Sequence, residues 1–191
     1  MGLSLVGIDC DLGEASVQIA SDSYSIGELA TRRLIDDGCS RILCLRNNSR
    51  MRMPANKRTD AYYDVVEQAG LPALVREVEF VKSDDEKSAV VAKILDENPD
   101  IDAIFAGDDT MAAICLNVMK QRGLSAPDDI KVVGADGARR TMTFMPDLTT
   151  VRQDIDRIGE LAAQSIIALV NGEKPESNIK LPVELIEGKT A

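Results

Sequence analysis

Five polar residues of this chain stand just beyond short apolar runs or close the polar stretch that follows one. Asp22 follows Val17–Ala20, Asp108 follows Ile101–Ala106, Asp136 follows Val132-Val133-Gly134, and Gln153 follows Leu148–Val151. Arg58 closes the polar stretch that begins at Arg46, after Arg41–Leu45. In an open parallel sheet the carboxyl ends of the strands share one edge, and ligands bind where the loops at that edge converge. Carboxylates accept paired hydroxyl hydrogens while Arg and Gln donate, so a rim of this kind suits a polyhydroxylated small molecule. Each position also has a plainer reading. Asp22 or Ser23 can cap the helix that follows, and so can Asp108 or Asp109, with Asp109 the expected cap of its helix. Asp136 beside Gly137 has the composition of a turn. Arg50, Arg52 and Arg58 can form a solvated face. Asp136, Arg58 and Gln153 are favoured by their placement.

Catalysis finds less support. The chain has no His, which removes the commonest general base and metal ligand. Ser21, Ser49 and Ser125 lie outside any G-x-S-x-G elbow, and neither a Walker sequence nor G-x-G-x-x-G occurs. Asp108 and Asp109 are adjacent, and neighbours at a helix start point in different directions. No nucleophile–base or metal constellation can be assembled, so neither an enzyme, a metal site nor a cofactor is expected. Cys10, Cys39, Cys44 and Cys115 have no C-x-x-C spacing and sit among apolar residues or glycine, as reduced core thiols do.

The bulk numbers narrow the field further. With 45% apolar and only 3% aromatic residues, the core must be aliphatic. Lys and Arg number 22 against 32 Asp and Glu, a net charge of −10, which is the wrong sign for gripping phosphates. No apolar run approaches a membrane span and no secretory leader is recognisable, so the cytoplasm is the expected location.

The elements that must position these residues alternate between strand and helix patterns, the mark of βα units and a parallel sheet. Strands are expected at Leu3–Ile8, Val17–Ala20, Arg41–Leu45, Val78–Val81, Ile101–Ala106, Ile130–Gly134, Leu148–Val151 and Lys180–Ile186. Helices are expected at Ser25–Asp37, Thr59–Ala69, Asp84–Glu97 and Thr110–Arg122, with a long amphipathic one from Ile155 to Gly172. Ser83 and Glu86 have the spacing of a capping box. Asp136–Thr143 reads as a polar loop.

Taken in order, these landmarks resemble the lactose-repressor (LacI) family of transcriptional regulators. Ser21-Asp22-Ser23-Tyr24 through Gly27 is similar to its S-D-N-Y-x-G-G segment, and Arg58-Thr59-Asp60-Ala61-Tyr62 to R-x-x-G-Y. Ile104 to Ala112 is similar to A-I-F-x-x-N-D-x-M-A, and Gly123 to Asp136 follows G-x-x-x-P-x-D-I-x-V-V-G-F-D. Pro146 to Gln153 follows P-x-L-T-T-V-x-Q, and Leu181 to Ile186 follows L-P-x-x-L-I. The resemblance implies an α/β, periplasmic-binding-protein-like fold, with parallel sheets flanked by helices in two lobes joined by three crossovers. It implies a sugar-like or nucleobase-like effector in the cleft, contacted by Asp22, Arg58, Asp108, Asp136 and Gln153. It also implies a homodimer or larger assembly, with DNA reached only through a helix-turn-helix headpiece.

Departures from the family pattern shape the remaining expectations. Asp108 stands where the family usually has Asn, trading a donor for a negative charge, so an atypical or positively charged effector is expected. The headpiece and the opening of the first lobe are not recognisable before Met1. Residues 1–38 are expected to form a partial first lobe and 39–151 a complete second lobe. Residues 152–176 then return a helix to the first lobe, and 177–191 give the last strand of the second lobe and a tail. Two helices, Ser25–Asp37 and Ile155–Val170, are thus expected to lack a sheet to cover them, which points either to a dimer or larger assembly or to a fragment of a longer gene product. The alternatives are a small-molecule (sugar) binding protein with no link to transcription, or a decayed remnant acting only as a dimerisation module.

Overall fold

The computed structural model describes residues 5–10, 12–13, 16–48, 55–79 and 81–191. Its strands form two separate sheets. The smaller holds β1 (Leu5–Ile8), β2 (Ser16–Ser21) and β8 (Asn178–Leu181), all parallel. The larger has the order β4-β3-β5-β6-β7-β9, from Leu74–Glu79, Ile42–Asn48, Ala103–Ala106, Lys131–Asp136, Thr149–Gln153 and Val183–Ile186. Its strands run parallel except β9, which pairs antiparallel with β7.

Strand periodicity builds the larger lobe as three layers. Leu43 and Leu45 face one side with Ile104 and Val132, covered by α3 (Asp84–Glu97) and α4 (Asp109–Gln121). Ile42 and Cys44 face the other with Phe105 and Val133, covered by α1 (Ser23–Asp36) and α2 (Asn56–Gln68). Near-continuous apolar runs such as Ile42–Leu45 are the expected signature of strands buried on both faces. In the smaller lobe Val17 and Ile19 pack against Ile158 and Ala162 of α6 (Ile155–Val170).

The chain passes between the sheets three times: from β2 into α1, from β7 into α6, and from β8 into β9. Two of these passages are tied together, because the Asp22 N–H donates to Leu181 O at 2.8 Å and Lys180 Nζ lies 2.8 Å from the Asp22 carboxylate.

Several expectations need correction. Helix α1 lies on the larger sheet, with Ile26, Ala30 and Leu34 fully buried there, so residues 23–36 do not join the smaller lobe and do not lack a cover. The run Lys180–Ile186 is two strands on different sheets, broken at Pro182, which has no N–H to continue a ladder. Strand β4 begins four residues before Val78, with which the expected strand opened. The stretch after Asp136 contains a short helix, α5 (Arg139–Phe144), none of whose residues is buried. Leu3 and Ser4 of the first expected strand lie outside the described residues.

Candidate functional site

The carboxyl ends of β3, β5, β6 and β7 meet at a cavity of about 310 Å³. Arg58, Asp108, Asp136 and Gln153 all line it, so four of the five residues chosen from their positions after apolar runs come together.

Arg58 is the third residue of α2, whose N-terminus points at the cavity. Its Nη1 donates to Gly107 O at 2.5 Å and its Nη2 to Asp136 Oδ1 at 3.0 Å. The residue is only 8% exposed, and among the described residues its Nε has no partner. Asp136 ends β6 with φ of 115°, a conformation that side chains rarely adopt, and Gly137 follows at 58°. A Cβ at Gly137 would lie 2.7 Å from Arg152 Cα, so glycine is required there on both counts. The turn is pinned from beneath, since the Gly137 N–H donates to Asp109 Oδ2 at 2.8 Å. Gln153, the last residue of β7, donates Nε2 to Asp136 Oδ1 at 2.7 Å and leaves Oε1 buried without a partner. Burial is the largest influence on Asp136 and raises its pKa, against the opposing pull of Arg58.

Asp108 is the N-cap of α4, accepting from the Met111 N–H at 2.7 Å, while its second oxygen accepts from Asn47 Nδ2. Among the described residues, nothing donates to the buried Asn47 Oδ1. Capping was expected of Asp109 and falls to Asp108. Asp109 turns inward, only 3% exposed, and accepts from Thr150 Oγ1 at 2.6 Å as well as from Gly137.

Asp22 departs from the group. It caps α1, accepting from the Ser25 N–H at 3.2 Å, and its other oxygen meets Lys180, so it is committed to the crossover and does not line the cavity. Burial acts against its ionised form, but the hydrogen bonds from Lys180 and Ser25 outweigh it and hold the carboxyl below the ordinary value. Its neighbour Ser23 lines the cavity instead, as do Asp9, Arg46 and Asn47. Asp9 lies beyond β1 with φ of 47° and receives a long 3.4 Å hydrogen bond from the Ser21 N–H. Its position after an apolar strand was the available signal. Asn47 and Arg46 escape such reasoning because β3 continues to Asn48, through residues that read as loop. Arg50 and Arg52 lie outside the described residues.

Residues 31–191 match the family model described as the periplasmic binding protein-like domain. The ribose operon repressor of Halalkalibacterium halodurans is 29% identical over 192 residues, covering 100% of this chain and 57% of the repressor. The sucrose operon repressor of Pediococcus pentosaceus is 30% identical, covering 100% of this chain and 59% of the repressor. The chain therefore spans somewhat more than half the length of the curated relatives it matches. Among solved structures, the complex of the transcriptional regulator CelR with cellobiose superposes with a TM-score of 0.84 at 26% identity, covering 97% of this chain and 58% of CelR. A LacI-family regulator from Corynebacterium glutamicum gives 0.87 at 25% identity, covering 97% and 60%.

Proposed function

Because the chain belongs to the periplasmic binding protein-like domain family, in the group of LacI-type regulators, we propose that it is the effector-binding core of such a regulator. The effector is a small polar molecule, sugar-like in the first instance, seated in the cavity between the sheets. One observation carries this reading. Arg58, Asp108, Asp136 and Gln153, each beyond a different strand, line one cavity with the mixture of donors and acceptors that hydroxyl groups match. The named ligand of CelR, cellobiose, has that chemistry.

The cavity draws on both sides of the crossovers. Asp9 follows a strand of the smaller sheet, whereas Arg58, Asp108 and Asp136 belong to the larger lobe. A ligand bridging them favours one relative orientation of the lobes over another, and that differential contact shifts the population of states. DNA affinity belongs to a segment other than these acidic residues, and coupling to it is reciprocal. The setting is the cytoplasm.

A thermal-shift screen against neutral sugars, amino sugars and purines tests the proposal, since a ligand that binds only the folded form at 100 times its Kd adds about 2.7 kcal/mol. Arg58→Lys should abolish the shift, because an ammonium cannot fork between Gly107 O and Asp136 as the guanidinium does. A ligand whose shift is the same in Arg58→Lys and Asp136→Asn does not occupy this cleft.

A further inference from the structure

The polar wall of the cavity carries more carboxylates than cations. Asp9, Asp108 and Asp136 all line it. The buried acceptors Asn47 Oδ1 and Gln153 Oε1 also lack donors. Among the described residues, Arg58 Nε is a buried donor without a partner, on a residue 8% exposed.

Charge is biased in the same direction. Arg46 is bridged to Glu77, and Arg58 is spent on Asp136 and Gly107 O. Among the described residues, neither Asp9 nor Asp108 is ion-paired to a Lys or Arg. Among the described residues, the donors to Asp108 are neutral, the Met111 N–H and the Asn47 amide. Its charge is felt nearby: after burial, Asp108 raises Asp136 against the opposing influence of Arg58, and it also adds to the upward shift of Asp109.

We propose that the molecule completing this cleft is a cationic polyol of the amino-sugar class, whose ammonium group faces Asp108 and Asp9. The inference rests on the effector-cleft reading above and adds the charge of the effector to it. An ammonium supplies three donors and a positive charge in one group.

Matched pairs decide the matter by titration calorimetry on the intact chain. The probes are D-glucosamine against D-glucose and D-galactosamine against D-galactose. N-acetyl-D-glucosamine and N-acetyl-D-galactosamine keep the substituent while removing its charge. The amine should bind at least about ten-fold tighter than both neutral partners. Asp108→Asn should shrink that margin while leaving the fold intact, because Asn caps a helix as well as Asp. Asp9→Asn should act likewise, Asn being tolerant of positive φ. A neutral sugar binding as tightly as its amine overturns the cationic assignment and leaves the effector cleft standing. An amine preference undiminished in both variants also overturns it. If no sugar in either set binds, this inference falls, and the effector-cleft reading is decided separately by the wider thermal-shift screen.

Discussion

Burial raises the Asp109 carboxyl to about 6, even though Thr150 Oγ1 and the Gly137 N–H both donate to it. A carboxyl whose pKa is higher folded than unfolded keeps its proton in the native state after the unfolded chain has lost it. Between about pH 4 and pH 6 the native protein thus binds more protons, and stability falls as pH rises through that window. The loss is on the order of 2–3 kcal/mol and persists above pH 6. Asp22 has the opposite sign, its depressed pKa giving stability that is present at neutral pH and lost in acid. Asp109→Asn should remove the first effect alone. Denaturant midpoints measured for both proteins at pH 4 and pH 7 should show the wild type losing ground to the variant on going to pH 7. Parallel behaviour would mean that Asp109 ionises in the native state as it does in the unfolded chain. The sequence could not separate the adjacent pair Asp108 and Asp109, since either carboxylate can cap a helix. Which one turns inward depends on Thr150, which is 41 positions away and reached only through the sheet.

Elements were readable wherever a local signal was complete. The helix Asp84–Glu97 has the expected bounds, because Ser83 and Glu86 form the reciprocal pair that starts it. Helix α5 was not readable, since six residues with nothing buried leave no periodic pattern. The amphipathic pattern of α1 announces an apolar face but says nothing of which sheet will cover it, so the smaller lobe was the wrong partner. The segment that places α1 carries its own evidence in Gly27. A Cβ there would overlap the backbone of Arg58, so α1 and α2 cross at a distance only glycine permits. Gly27→Ala must therefore push the α2 N-terminus outward. Overpacking against backbone is expected to cost about 3 kcal/mol. Because Arg58 is displaced as well, ligand affinity should drop further than the loss of folded protein explains. An alanine variant with unchanged melting temperature and unchanged binding would show that the helices have room to separate.

At the scale of the molecule, the two lobes differ in how well they are closed. The larger sheet is covered on both faces, whereas the smaller one has three strands and a core built on Val17, Ile19, Ile158 and Ala162. So small a core is marginal by itself, and the crossovers that tie it to the larger lobe contribute to its persistence. Helix α6 turns its inner face to this sheet and leaves Ile166, Ile167 and Val170 exposed at 52%, 61% and 81%. Neighbouring apolar residues at i, i+1 and i+4 on one helix form a patch of the sort that drives association. With α1 covered by the larger sheet, this outer face of α6 is what remains of the sequence argument for a dimer or larger assembly. Light scattering coupled to size exclusion should give a mass above the 20.7 kDa of one chain. The double substitution Ile166→Glu and Ile167→Glu should restore a monomer, because two charges on that face oppose its burial. Both residues lie outside the residues that line the cleft, so the monomeric variant should keep its effector affinity. A wild-type chain that runs as a monomer at high micromolar concentration would mean that the α6 face is tolerated in water.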